Sequence, residues 1–284
     1  MTTLLLLITI FGVSIQGVNV RDYGNKTDGK GRFVFFTISR LAGMLYFIIT
    51  AGKLSFNAEI LPYTIAFAIF YGACIVFNFL AINSGPLSIT SLIISYSLMV
   101  PTAYGLIFLH DPVGKGFVAG IILLLVSLYL INMKTEEKGV AITKKWIVYA
   151  TISFLGNGLC STVQSMHVRA FEGAYKNEFM IIAYLMVVVF SLIVSFAKEK
   201  GEIKTCIKKG WIFALICGVA NAVVNFLTMA LQDRLPVSLV FPLISGGGLI
   251  LTYFFSRFLF KEKLSKSQNI GYVLGVLSVV FLNI

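Results

Sequence analysis

Polar side chains that could bind a small molecule recur at helical spacing inside long apolar segments of this sequence. Residues three, four or seven positions apart lie on one face of an α-helix. Five such sets occur: Asn221, Asn225, Thr228 and Gln232; Asn157, Ser161 and Gln164; Tyr71, Cys74 and Asn78; Ser88, Ser95 and Thr102; and Ser238, Ser245 and Thr252. Because polar groups that face lipid would be left without partners, these faces are predicted to point into the protein.

These residues offer hydrogen bonds to a small polar molecule. The candidate substrate-binding residues are Asn78, Asn225, Asn221, Asn157, Gln164, Tyr71, Ser95 and Ser245, together with Arg40. Hydrogen bonding between helices is the competing interpretation. It is preferred for the serines, and both interpretations stay open for the amides.

Arg40 is the one basic residue well inside an apolar segment. Inserting an arginine there costs about 3 kcal/mol, so the side chain is expected to face the protein interior. It could anchor a substrate carboxylate or phosphate. Alternatively, it is a structural arginine that binds backbone carbonyls or extends toward the nearer interface. From the residues alone both interpretations stay open.

Catalytic and cofactor-binding patterns are missing from the sequence. There is no zinc-binding histidine pair, no glycine-rich phosphate loop and no nucleophile triad. His167 is the only plausible buried titratable group, and an interfacial histidine is its preferred interpretation. We therefore predict that the protein is not an enzyme and needs no cofactor.

The composition predicts an all-α membrane protein. Hydrophobic residues make up 58% of the 284 residues and charged residues 12%, whereas soluble domains carry about 25% charged residues. About 20 apolar residues span a bilayer. Ten windows meet this test: 2–20, 33–52, 61–83, 87–109, 115–133, 146–166, 177–197, 210–232, 236–257 and 268–284.

The basic residues predict the orientation. Most of them cluster in four runs between the apolar windows: Arg21–Arg32, Lys134–Lys145, Lys198–Lys209 and Arg257–Lys266. With the N-terminus outside, 17 of the 23 Lys and Arg residues fall on the inner side and five on the outer side. This bias predicts a multi-pass protein of the cell membrane with both termini outside. Charge clustered in short loops also argues against nucleic acid as the partner of this chain.

An internal repeat relates the two halves of the chain. Asn78-Phe79-Leu80 matches Asn225-Phe226-Leu227, and Pro86-x-Ser88 matches Pro236-x-Ser238. We predict a first five-helix repeat at residues 1–133, an inter-repeat loop at 134–145 and a second repeat at 146–284. Since each repeat has five spans, the second must be inverted. Inverted repeats are typical of secondary transporters, whose substrate sites lie near the membrane midplane.

These features resemble the EamA-type transporters of the drug/metabolite transporter superfamily. The residues that carry the resemblance are Pro236-Val237-Ser238, Gly246-Gly247-Gly248, Phe260-Lys261-Glu262-Lys263-Leu264 and Gly271. The resemblance implies that the fifth and tenth helices, which begin with Gly116-x-x-x-Gly120 and Gly271-x-x-x-Gly275, pack together. The resemblance also favours the structural interpretation of Arg40. Many relatives keep both termini in the cytoplasm, which is opposite to the orientation that the charges predict.

The sequence favours a secondary transporter that moves a small polar or amphipathic metabolite, such as an amino acid or related organic ion, by alternating access. An exporter of aromatic or quaternary cations is the alternative, with aromatic rings replacing the missing carboxylate. A flippase of lipid-linked substrates or a channel is the alternative from another class. The expected partners are the substrate and the lipid bilayer, and the chain is expected to act as a monomer.

Overall fold

The computed structural model describes residues 1–85, 87–132, 143–255 and 265–282. Within these ranges the chain is helical and contains no β-strand. The helices are α1 (Thr2–Thr27), α2 (Arg32–Thr50), α3 (Leu61–Ser84), α4 (Leu87–Ser95), α5 (Met99–Phe108), α6 (Phe117–Asn132), α7 (Lys144–Ala170), α8 (Lys176–Lys198), α9 (Ile203–Gln232), α10 (Val237–Phe254) and α11 (Lys266–Leu282).

The prediction of a helical membrane protein is confirmed. Seven helical segments in the described ranges are long and apolar enough to cross a bilayer, and the shorter apolar helices lie at Phe117–Ile131, Val237–Gly248 and Lys266–Leu282. The fourth predicted window is divided into α4 and α5 by a 3-10 turn at Tyr96–Leu98. Its residues from Ile89 to Phe108 still form one span-length segment of 20 residues.

Two of the basic runs that were predicted to be loops are largely helical. Helix α1 continues through Arg21 to Thr27, and α9 begins at Ile203, well before the predicted window at residue 210. The prediction was wrong because hydropathy windows end at the first charges, whereas lysine and arginine are good helix formers. The actual turns between these helices are only a few residues long.

Several predicted features lie outside the described residues. They are Pro86 of the first hairpin, residues 134–142 of the 134–145 loop, and the Phe260–Leu264 motif.

The described chain divides into two compact units. Unit 1 comprises Met1–Gly72 and Met166–Asp233, and unit 2 comprises Ala73–Ser165 and Arg234–Ile284. The units are interleaved along the chain, whereas the predicted repeats are consecutive. Compactness and internal repetition are different properties, so the repeat boundaries stay a prediction.

Unit 1 is built on α1, α2, α8 and α9. Helix α9 packs against both α1 and α2, and α2 also packs against α8. Small residues permit these close crossings. A side chain on Gly218 would collide with the backbone of Ser39, and one on Gly12 would collide with Val224. These crossings bring the middle of α2 close to the middle of α9.

Opposite ends of unit 1 differ in charge. Nine basic residues lie where α1 and α8 end and α2 and α9 begin: Arg21, Lys26, Lys30, Arg32, Lys198, Lys200, Lys204, Lys208 and Lys209. The opposite end carries the basic residues Lys53, Arg169 and Lys176 and the acidic residues Glu59, Glu172, Glu178 and Asp233. The first end also carries the acidic residues Asp22, Asp28, Glu199 and Glu202. Positive charge is therefore concentrated at this end of unit 1.

Unit 2 contains the predicted pair formed by the fifth and tenth helices. Helices α6 and α11 pack along each other, and Ser127 Oγ donates a hydrogen bond of 2.6 Å to the carbonyl of Gly271. Side chains at Gly120 and Gly271 would meet Leu282 and Ile131. The packing that the resemblance implied is confirmed.

Candidate functional site

A polar network centred on Asn221 lies within the apolar helices of unit 1. Its carbonyl Oδ1 accepts hydrogen bonds from Arg40 Nη1, from the Tyr184 hydroxyl at 2.5 Å and from Asn225 Nδ2 at 3.1 Å. Its Nδ2 donates to Gln16 Oε1 at 2.7 Å. The network thus joins α1, α2, α8 and α9 through one asparagine side chain.

Arg40 lies at the closed side of this network. It is 4% exposed, and it hydrogen-bonds the side chains of Asn221 and Tyr184. No hydrogen bond from the guanidinium to a backbone carbonyl is seen in the described chain. That it extends toward a membrane interface stays a prediction. An arginine that binds a neutral amide keeps its full positive charge.

Two tyrosine rings flank the Arg40 guanidinium. Its central carbon lies 5.0 Å from the centre of the Tyr71 ring and 5.4 Å from that of Tyr184. The faces of aromatic rings carry negative charge density and attract a cation at this range. These contacts stabilise the charge and fix the plane of the guanidinium without neutralising it.

Asn225 connects the network to the next turn of α9. Its Nδ2 donates to the Tyr184 hydroxyl at 3.1 Å and to the backbone carbonyl of Asn221 at 2.9 Å. Asn221 and Asn225 are four residues apart, so they project from the same face of the helix.

The network has a more accessible side. Gln16, Tyr71, Asn221 and Asn225 are only half-buried, whereas Arg40 and Tyr184 are buried behind them. A molecule that approaches from the half-buried side would meet amide groups first and the charged guanidinium last. The arrangement can therefore bind a polar molecule with a negatively charged group directed at Arg40.

The structure brings together four of the nine predicted site residues: Arg40, Tyr71, Asn221 and Asn225. The other five, Asn78, Ser95, Asn157, Gln164 and Ser245, belong to unit 2. Asn157 Nδ2 donates to Ser97 Oγ at 2.5 Å, and Gln164 is 3% exposed. Ser95 Oγ donates to the backbone carbonyl of Ser91 at 2.8 Å, one turn earlier in its own helix.

Asn78 and Ser245 are the remaining two predicted site residues of unit 2. Oδ1 of Asn78 is buried without a hydrogen-bond partner among the described residues. Ser245 is half-buried in α10. The predicted pairing of Asn78 with Asn225 across a two-fold axis stays a prediction.

Sequence reasoning missed Gln16, which belongs to the network. Helix α1 is apolar all round, so no periodic pattern marks one of its faces. The available signal was chemical, because a carboxamide in the middle of an apolar helix requires a partner in the protein interior.

His167 is another buried polar side chain in unit 1. It is 0% exposed, and its ring stacks on Phe179 with 4.3 Å between ring centres. Neither ring nitrogen has a hydrogen-bond partner among the described residues. Tyr63, Phe171 and Phe179 enclose the ring, so the histidine is buried in the protein, and its interfacial position in the membrane stays a prediction.

Within the described residues no group of three His, Cys, Asp or Glu side chains could hold a metal ion. The acidic residues that form contacts in the described chain do so at helix ends. Glu199 accepts hydrogen bonds from the backbone N–H groups of Phe33 and Val34 at the start of α2, at 3.1 and 3.0 Å. Asp111 in the same way accepts the N–H of Ser238 at the start of α10, at 2.8 Å.

Comparison with known proteins adds two findings. The model of the EamA-like transporter family matches residues 144–284. A solved crystal structure of another protein aligns with 100% of this chain and 98% of its own, with a TM-score of 0.78 and 14% sequence identity. At this identity the similarity shows a shared fold and nothing more. No curated protein matches the sequence.

Proposed function

The second half of this chain, residues 144–284, belongs to the EamA-like transporter family, and from that premise we propose that the protein is a secondary transporter working by alternating access. We propose as its substrate a small polar or amphipathic metabolite, such as an amino acid or related organic ion. Family membership supports a membrane transporter of the drug/metabolite type rather than an enzyme. The substrate and the mechanism are our extension of it.

The observation that carries this proposal is the Asn221 network in unit 1. Five helices direct polar groups to one place in this unit, and four of the six side chains are half-buried. Helix packing alone would favour polar groups that are fully enclosed. Amides and tyrosines with an accessible side suit reversible binding of a polar solute.

We also propose ten spans arranged as two inverted five-helix repeats, with α4 and α5 forming one span. The internal sequence match and the ten apolar segments support this arrangement. It would place equivalent residues of the two repeats around a midplane site. The protein is proposed to act as a monomer, since the α6–α11 contact joins the fifth and tenth spans within one chain.

The alternative of a cation exporter finds less support. Both aromatic faces in the network, those of Tyr71 and Tyr184, already lie against the Arg40 guanidinium. A cationic substrate would meet a buried positive charge without a carboxylate among the described residues to offset it. No specific contact favours the channel or the flippase.

Transport in proteoliposomes tests the proposal. Purified protein is reconstituted into liposomes loaded with the 20 common amino acids and small hydroxy acids, and exchange of labelled external compounds is measured. We expect saturable exchange that is accelerated when the same compound is present inside. Flux that does not saturate and shows no such acceleration would indicate a channel and contradict the proposal.

The charge asymmetry of unit 1 supports an orientation with the basic end in the cytoplasm and both termini outside. Reporter fusions in the segment 134–145 and at the turn after Lys198 are then expected to be cytoplasmic, and fusions at the turn after Ala170 external. As a control, the basic residues of the 134–145 segment are replaced by glutamine. Cytoplasmic termini would show that the charge bias does not set the orientation of this protein.

A further inference from the structure

Arg40 carries a buried charge that no carboxylate in the described residues neutralises. Ion pairs in the described chain include Lys30 with Glu202 and Lys176 with Asp233, both at the ends of helices. Transfer of an arginine into an apolar interior is unfavourable unless a counter-charge accompanies it. The two tyrosine rings and one amide lower this cost only in part. The positive charge of Arg40 is therefore not balanced by a negative charge among the described residues.

The hydrogen bonds of Arg40 show which part of the guanidinium is available. A guanidinium has five N–H donors. Nη1 donates to Asn221, while Nε is buried without an acceptor among the described residues. Nε and Nη2 form the edge of the group that points away from Nη1. On this edge, Nε has no acceptor among the described residues.

A carboxylate matches the edge formed by Nε and Nη2. Its two oxygens can accept two parallel N–H bonds, which is the usual arrangement of arginine with carboxylates. Its single negative charge would cancel the single positive charge of Arg40. A phosphate monoester carries a charge of about −1.5 to −2 at pH 7, so with one arginine it would leave part of its charge buried and uncompensated.

The tyrosine rings take up part of the space around the guanidinium. The central carbon of Arg40 lies 5.0 Å from the centre of the Tyr71 ring and 5.4 Å from that of Tyr184. A carboxylate that binds Nε would have to approach beside these rings. The half-buried amides of Asn221 and Asn225 would then lie beside the remainder of the ligand.

We infer that Arg40 binds the carboxylate of the substrate through Nε and Nη2, and that the protein carries small monocarboxylates, including amino acids. This inference rests on the proposed transport function and narrows its substrate class. Neutral amides and cationic amines of the same size are poor substrates, because they leave the Arg40 charge without a counter-ion.

Uptake of matched compounds by proteoliposomes tests the inference. The external mixture contains amino acids and short hydroxy acids, each with its amide and, for the amino acids, its decarboxylated amine. Mass spectrometry measures what accumulates inside. We expect at least one acid to exceed its amide and its amine by about tenfold to a hundredfold, as expected for hydrogen bonds to a charged group.

Two variants test whether Arg40 causes the preference for the acid over its amide and amine. Arg40→Gln removes the charge and should abolish the preference for the acid, whereas Arg40→Lys should retain the preference with slower uptake. Arg169→Gln is the matched control, because Arg169 is exposed at the end of α7, and it should behave like the unmodified protein.

The outcomes separate the inference from the proposed function. Equal uptake of acids and amides by the unmodified protein would overturn the inference and leave the transport function intact, and this comparison needs no variant to fold. A preference for acids that survives in Arg40→Gln would also overturn the inference. Uptake of no compound would contradict the transport function and the inference with it.

Discussion

Replacing Asn221 by leucine should lower substrate uptake by about tenfold to a hundredfold, the largest loss expected from any single amide in the protein. Leucine keeps a similar volume but removes the acceptor of Arg40, Tyr184 and Asn225 and the donor to Gln16. Each buried group left without a partner costs about 1–3 kcal/mol. The melting temperature of the purified protein should therefore fall as well.

Asn19→Leu is the matched control for this experiment. Asn19 is 8% exposed in α1 of the same unit, and its Nδ2 donates only to the carbonyl of Ile15 in its own helix. This variant should keep most of its uptake and its melting temperature. Equal losses in both variants would mean that any buried asparagine is required for assembly and that the Asn221 network has no special role.

Glu199→Gln should give the largest loss of stability at a single helix end. The Glu199 side chain, 8% exposed, accepts the N–H groups of both Phe33 and Val34 at the positive end of α2. Glutamine removes the charge and one acceptor oxygen, so we expect a loss of about 2–4 kcal/mol. Thermal unfolding measures the loss, and hydrogen exchange should increase at the first turn of α2.

Glu202→Gln is the control in the same turn. Glu202 forms an exposed ion pair with Lys30 at 3.4 Å, and such pairs contribute less than about 1 kcal/mol. If Glu199→Gln were no more destabilising than Glu202→Gln, the carboxylate contacts at α2 would have little energetic importance.

The sequence predicted the main elements of the fold because the apolar segments are long and continuous. It did not predict the helix ends. Arg21 to Thr27 and Ile203 to Lys209 are helical even though their charges ended the hydropathy windows. Their backbone conformation depends on helix propensity and on contacts such as the hydrogen bond from the Tyr23 hydroxyl to the carbonyl of Gly31, which hydropathy does not register.

Part of the candidate site was also predictable. The spacing of Asn221 and Asn225 on one helical face indicated an inward orientation, and an arginine inside an apolar segment indicated burial. The partners of these residues were not predictable, because Gln16 and Tyr184 meet Asn221 through contacts between helices that are far apart in sequence. Glu199 was placed in a basic loop, and its role depends on the position of α2.

Residues at matching positions of the internal repeat also differ in their surroundings in the folded protein. Asn78 and Asn225 occupy matching positions in the internal repeat, yet Asn225 donates hydrogen bonds to Tyr184 and Asn221, whereas Asn78 Oδ1 has no partner in the described part of the chain. Equivalent positions therefore have different surroundings.

The most direct test of the central claim is a structure of the protein determined with a transported compound bound. We expect density for the compound beside Asn221 and Asn225, with its carboxylate at the Nε and Nη2 edge of Arg40. Density located elsewhere, for example beside Asn157 and Ser97, with the Arg40 guanidinium still bound only to Asn221 and Tyr184, would contradict the central claim.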